Sequence, residues 1–227
     1  MKKSESHSFH WRNRSYLPSL QFIPLDRVLG LDKKDNKLHK GVYKVSVGQH
    51  QYVYKQVISP DGIPSQANEI DALIRLTASS RVIHLPGLVF APSPYQTYPE
   101  IESPPVVRGL LLLYATGGDL HRLLTHDDER LSFRQRLLWG LQITESLRDI
   151  HNAQLAHSNL KSSNVVIGSD NEAKIIDLGQ RGITYGWTAP EVWFAEVEDS
   201  SARKIIGENV ADRRHLFSRH RPMGAWY

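Results

Sequence analysis

Residues 157–167 read HSNLKSSNVVI, and a Gly-Ser-Asp-Asn turn at 168–171 separates them from AKIIDLG at 173–179. The apolar residues of both runs are largely β-branched, and the residues between them are the types that favour tight turns. The sequence therefore predicts two short strand-like runs, 155–167 and 173–176, joined as a hairpin.

A second hairpin is predicted near the start of the chain. Residues 42–47 read VYKVSV and residues 51–58 read QYVYKQVI, with Gly48-Gln49-His50 between them. Both runs alternate β-branched or aromatic residues with polar ones, which is typical of paired strands. Residues 66–76 follow with helical spacing, and residues 106–114 read as a buried strand that ends before Gly117-Gly118.

A longer helix is predicted after Ser132, which suits the N-cap position. Its apolar residues recur at intervals of three and four, so we expect one stripe of the helix to be buried. That stripe consists of Phe133, Leu137, Leu141, Thr144 and Leu147. Strands, a helix, further strands and a long helix together indicate an α+β fold.

Composition excludes several classes of protein. The chain has 227 residues, a net charge of +4 and no cysteine, which rules out disulfides, thiolate metal sites and cysteine nucleophiles. The start of the chain lacks the apolar segment of a secretory signal, and its longest strongly apolar run, 110–115, is too short to span a bilayer. We expect an intracellular protein, cytoplasmic or nuclear, that has no membrane span and does not bind nucleic acid.

The segment quoted first resembles the protein kinase family. It matches the catalytic-loop pattern H-x-D-L-K-x-x-N at all but the aspartate, and Asp177-Leu178-Gly179 and Ala189-Pro190-Glu191 match the D-x-G and A-P-E motifs in the same order. Upstream, Val53-Tyr54-Lys55 resembles the V-A-I-K strand. The resemblance covers roughly residues 25–191.

The resemblance implies a protein kinase-like bilobal fold with a strand-rich N-lobe and an incomplete helical C-lobe. We expect an N-terminal extension at 1–24 and an N-lobe with its hinge at 25–116. A partial C-lobe at 117–195 and a basic, poorly ordered tail at 196–227 would complete the chain.

The resemblance also implies a site for ATP and Mg²⁺ at the lobe interface. Lys55 would contact the phosphates and would also pair with Glu69. The metal would be held by Asn164 and Asp177. The catalytic loop would contain Asn159 and Lys161. The remaining cofactor contacts would come from Val45, Val53, Leu113, Ala115, Asp119 and Val166.

Departures from the family pattern leave three functions open. Asn159 stands where active kinases have the aspartate that accepts the substrate proton, and an amide cannot take that proton. The two glycines at 30 and 41 also depart from G-x-G-x-x-G spacing. The chain is therefore a pseudokinase or weak kinase that binds ATP, an active Ser/Thr-type kinase acting on protein substrates, or a truncated scaffold that binds no nucleotide.

Overall fold

The computed structural model describes residues 20–92, 105–126 and 131–179, together with Thr184 and Trp187. The chain separates into two compact units, residues 1–182 and 183–227. In the second unit the backbone N–H of Trp187 donates to the carbonyl of Thr184. The A-P-E motif and the expected tail at 196–227 lie outside the described residues, and the elements below all belong to the first unit.

A six-stranded sheet forms the first part of this unit. Its strand order is β1-β5-β6-β4-β3-β2, and all neighbours are antiparallel except β1 and β5. The strands are β1 (Gln21–Pro24), β2 (Lys37–His39), β3 (Val42–Val47), β4 (His50–Gln56), β5 (Gly87–Ala91) and β6 (Val106–Leu113).

The hairpin predicted around Gly48 is confirmed as β3 and β4. Val47 pairs with His50, so the turn contains only Gly48 and Gln49. Gly48 has a φ of +58°, a left-handed conformation that glycine adopts without steric cost and that tight hairpin turns require.

Strand β1 lies in the stretch that we expected to be an N-terminal extension. It pairs in parallel with β5 at the edge of the sheet, and its Ile23 is buried. At least residues 21–24 therefore belong to the sheet, because the edge of β5 offers backbone groups that the chain can pair with.

Helix α1 (Ile63–Arg75) packs one face against the core. Glu69, Ile70 and Leu73 are buried, whereas Ile63 on the first turn is exposed. Pro64 lies in the first turn of the helix. Backbone N–H groups in this turn have no partner within the helix, so the absence of an N–H in proline costs no helical hydrogen bond. The predicted helix at 66–76 is therefore confirmed with an earlier start.

The second part of the unit contains a small sheet and two helices. Its strands are β7 (Gly118–Asp119), β8 (Val165–Ile167) and β9 (Ala173–Ile175), in the order β7-β8-β9. The helices are α2 (Leu120–His126) and α3 (Phe133–Asn152). Of the run predicted at 155–167 only the last three residues form a strand, and the three residues before them form a 3₁₀ turn.

The stripe of α3 that we expected to be buried is largely exposed, so that prediction is wrong. Phe133 is 75% exposed, and Leu137 and Leu141 are also exposed. Thr144 is exposed as well, and Leu147 is half-buried. The buried face instead carries Trp139, Ser146 and Ile150.

Tertiary hydrogen bonds fix the orientation of α3. The Trp139 indole N–H donates to the carbonyl of Asn171 at 3.0 Å, and the Ser146 hydroxyl donates to the carbonyl of Arg81 at 2.8 Å. Apolar residues occur on more than one face of α3, so their spacing alone could not identify the buried one.

Among the described helices, none is long and apolar enough to cross a bilayer.

Replacing Ser132 by alanine should destabilise the protein by about 1 kcal/mol, because the Ser132 hydroxyl caps α3 by accepting the backbone N–H of Gln135. Urea denaturation would measure the loss. Ser132→Asp retains an accepting oxygen and should keep most of the stability. Equal losses in both variants would contradict the capping role.

Candidate active site

The Lys55 side chain joins three elements of the unit. Its ammonium nitrogen lies 2.7 Å from Oε2 of Glu69 on α1 and 2.6 Å from Oδ1 of Asp177, which follows β9. Glu69 is 1% exposed, whereas Lys55 and Asp177 are each 19% exposed. One cation therefore connects the sheet, a buried helix face and a carboxylate that solvent can still reach.

The charges of this triad depend on one another. Burial opposes the charge on Lys55, but the Glu69 and Asp177 carboxylates outweigh it and hold the pKa of Lys55 above its ordinary value. Burial raises the pKa of Glu69, and the charge of Lys55 offsets this rise only in part. Oε1 of Glu69 is buried without a hydrogen-bond partner among the described residues, so Lys55 is the main group that stabilises the Glu69 carboxylate.

Contacts of Gly179 hold the turn that contains Asp177 against α1. The Ser65 hydroxyl donates to the carbonyl of Gly179 at 3.0 Å. A Cβ atom at Gly179 would lie 2.3 Å from the Ser65 carbonyl oxygen and 2.5 Å from Cβ of Glu69. Only glycine can lie this close to α1, so packing requires glycine at the third position of the D-x-G motif.

The catalytic-loop residues form a hydrogen-bonded turn beside Asp177. The imidazole of His157 accepts the backbone N–H of Asn159 through Nδ1, so its Nε2 donates to the carbonyl of Ile176. Burial lowers the pKa of His157, which agrees with a neutral ring in this role. His157 therefore connects the loop to the residue before Asp177.

Asn164 lies in the same turn, with its amide orientation fixed by one bond. Its side-chain N–H donates to the carbonyl of Asn159 at 2.8 Å, while its backbone carbonyl accepts the N–H of Ile176 at 3.0 Å. The chain thus brings Asn164 close to Asp177. Lys161 is half-buried in this turn, and its carbonyl accepts the backbone N–H of Asn164.

The sheet places Val53 and Val45 on opposite faces. Val53 is two residues from Lys55 on β4 and shares its face, whereas Val45 pairs with Tyr52 and is buried with Tyr54 and Val89 in a separate apolar cluster. The position of Val45 therefore does not fit a nucleotide contact. Val42 pairs directly with Lys55 and therefore lies on the same face as Lys55, where the sequence interpretation had expected Val45.

Leu113 at the end of β6 and Ala115 in the linker after it make backbone hydrogen bonds. The N–H of Leu113 donates to the carbonyl of His84, and the exposed Leu113 side chain lines a cavity of about 450 Å³ with Ile74 and His84. The carbonyl of Ala115 accepts the N–H of Gly118 at 3.5 Å. The Leu113 side chain is thus directed toward this cavity, away from Lys55.

Asp119 and Val166 are paired in the small sheet. Val166 is half-buried between the buried Val165 and Ile167, so it faces the opposite side of β8. Oδ1 of Asp119 accepts the N–H of Arg122 at 2.9 Å, which caps the first turn of α2. The carboxylate that the family pattern assigns to the ribose is therefore partly engaged within the chain.

The segment between Gly30 and Gly41 differs from an open phosphate-binding loop. It contains a 3₁₀ turn at Lys34–Asn36 and strand β2, and the Asn36 side chain donates to the carbonyl of Gly30 at 2.9 Å. The departure from G-x-G-x-x-G spacing therefore coincides with a different local structure.

Sequence interpretation missed two features of the site. Counting outward from the two-residue turn at Gly48-Gln49 would have placed Val42, and not Val45, opposite Lys55. The contact between Gly179 and α1 carries no local signal, because the residues involved are 110 or more positions apart. Among the described residues, no group of three histidine or acidic side chains could hold a metal ion.

A sheet lysine paired with a helix carboxylate and with the aspartate of a D-x-G turn defines a kinase-like domain. Residues 42–198 match the family model described as the protein kinase domain. This match covers more than half of the chain, so the chain belongs to the protein kinase domain family. The predicted family and fold class are thereby confirmed.

Curated relatives extend the comparison. The chain is 28% identical over 155 residues to the leucine-rich repeat receptor-like protein kinase PXC2 of Arabidopsis thaliana, covering 64% of the chain and 15% of that relative. It is 31% identical over 160 residues to the dual serine/threonine and tyrosine protein kinase of Danio rerio, and the match covers 66% of the chain and 17% of that relative. It is 40% identical over 117 residues to the mitogen-activated protein kinase HOG1 of Beauveria bassiana, and the match covers 44% of the chain and 32% of that relative. The chain thus spans a third or less of the length of these three relatives.

Gly179→Ala should destabilise the protein by about 1 to 3 kcal/mol, because the added methyl group overlaps the backbone of α1. Gly140→Ala is the matched control, since a Cβ atom at this helical glycine meets no atom within 4 Å. That variant should gain up to about 1 kcal/mol through helix propensity. Urea denaturation measures both, and a Gly179→Ala variant as stable as the parent would contradict the close packing.

Proposed function

We propose that the chain binds ATP with Mg²⁺ and transfers phosphate weakly or not at all, so that it acts as a pseudokinase or a weak protein kinase. The observation that carries the proposal is the triad of Lys55, Glu69 and Asp177. A fixed ammonium group beside a partly exposed carboxylate suits a triphosphate and its metal ion.

The available ligands fit a metal that arrives with its nucleotide. Asp177 and the Asn164 side-chain oxygen supply two oxygen ligands, and Mg²⁺ commonly uses one or two protein oxygens together with phosphates and water. Because the segment between Gly30 and Gly41 is not an open glycine loop, Lys55 would make the principal phosphate contact.

Asn159 supports weak catalysis. Loss of the general base typically costs about 10²- to 10⁴-fold, whereas positioning and electrostatic stabilisation by other groups can remain. Lys161 favours some remaining phosphotransfer, since in the family that lysine stabilises the transferring phosphoryl group. The Danio rerio relative, which is named a dual serine/threonine and tyrosine protein kinase, supports protein hydroxyls as the acceptor class. An active Ser/Thr-type kinase is the second candidate.

Saturating ATP with Mg²⁺ should raise the unfolding temperature by about 5 to 11 °C at 100 times its Kd. Lys55→Met should abolish the rise, because it removes the phosphate contact. Lys37→Met, the same change on the exposed strand β2, should preserve it. Differential scanning fluorimetry measures each shift against the variant's own baseline.

A cooperative transition without a shift in the parent chain would overturn ATP binding and favour the scaffold function. A shift that survives Lys55→Met would place the nucleotide elsewhere. Absence of any cooperative transition would indicate that the chain does not complete its fold alone.

Asn159→Asp should increase phosphotransfer to a generic protein substrate by about 10²-fold or more, because it restores the proton acceptor. Incorporation of labelled phosphate from ATP measures the rate. Asn152→Asp makes the same change at an exposed position at the end of α3 and should have no effect. No gain in the Asn159 variant would show that another departure from the family pattern limits the reaction.

A further inference from the structure

A lysine on β3 contacts an aromatic ring in the linker after β6. The ammonium nitrogen of Lys44 lies 4.6 Å from the centroid of the Tyr114 ring, a distance typical of a cation–π interaction. Both side chains are half-buried. Lys44 is on β3 and Tyr114 directly follows β6, and β4 lies between these two strands.

The register places Lys44 on the same face of the sheet as Lys55. Lys44 pairs with Val53, and Val53 pairs in turn with Leu112. Directly paired residues share a face, and Val53 shares its face with Lys55 because side chains alternate along a strand. Lys44 is therefore directed to the face on which the proposed nucleotide site lies.

The contact spans the width of this face. Neighbouring strands lie about 4.8 Å apart, so β3 and β6 are separated by about 9.6 Å. To reach Tyr114, the four-carbon stem of Lys44 must extend over β4 next to Val53. In a kinase-like site the base lies against this face, with the linker at its outer edge.

We propose that the contact between Lys44 and Tyr114 closes the linker side of the nucleotide cleft and that a purine base displaces it on binding. This inference rests on the proposed ATP site and concerns the affinity of that site. The apparent affinity of a ligand that binds only the open arrangement equals its intrinsic affinity multiplied by the fraction of molecules that are open. A partly exposed cation–π contact would reduce that affinity about two- to fivefold.

Adenosine is the sharpest probe, because it has the base and ribose but no phosphate charge for Lys44 to attract. Lys44→Met keeps the length of the stem and removes the cation. Isothermal titration calorimetry should therefore show adenosine binding tighten about two- to fivefold in this variant. Lys37→Met removes the same charge from the opposite face of the neighbouring strand β2 and should leave adenosine binding unchanged.

A double-mutant cycle tests whether the ring is the partner. In a Tyr114→Leu background, Lys44→Met should change adenosine affinity by less than twofold, because the contact is already lost. A full gain in that background would overturn the role of Tyr114. Weaker adenosine binding in Lys44→Met would overturn the proposal, since Lys44 would then be a ligand contact.

The outcomes separate this inference from the proposed function. If the parent chain binds ATP with Mg²⁺ and Lys44→Met binds adenosine no more tightly, only the closing contact is overturned. If Lys44→Met binds adenosine and the parent chain does not, the closing contact is supported. If neither protein binds adenosine or ATP, the nucleotide site and the contact that closes it are both overturned.

Discussion

The interaction on which the rest of this unit depends is the ion triad centred on Lys55. Its ammonium group is within 2.7 Å of carboxylate oxygens from α1 and from the turn after β9. Glu69 is almost fully buried, and an unpaired charge there would be strongly destabilising. The position of α1 is therefore coupled to the sheet and to Asp177 through one cation.

Close packing reinforces this electrostatic connection. Gly179 approaches α1 so closely that no larger residue fits, and the Ser65 hydroxyl bonds to its carbonyl. On the other side of Asp177, His157 bonds to the carbonyl of Ile176 and to the N–H of Asn159. Asp177 is thus held from both sides by groups that are not themselves proposed ligands, which orients its carboxylate before any nucleotide arrives.

The sequence predicted both hairpins and the N-cap at Ser132, because turn residues and caps act within a few positions along the chain. It did not identify the buried face of α3. Apolar residues lie on several faces of that helix, and the choice depends on distant partners such as the carbonyl of Arg81. Nor did the sequence show that Val45 lies on the face opposite Lys55, since strand alternation must be counted from the correct turn.

By itself, the sequence determined the family, the order of the motifs and the presence of asparagine at position 159, where the family pattern has aspartate, because these are properties of residue identity and spacing. Only the tertiary structure decided which side chains meet. The pairing of Lys55 with Asp177, 122 positions away, the contact of Gly179 with α1 and the meeting of Lys44 with Tyr114 depend on strand register and helix packing. Such long-range contacts have no local signature, since they arise from the burial of surfaces that are distant along the chain.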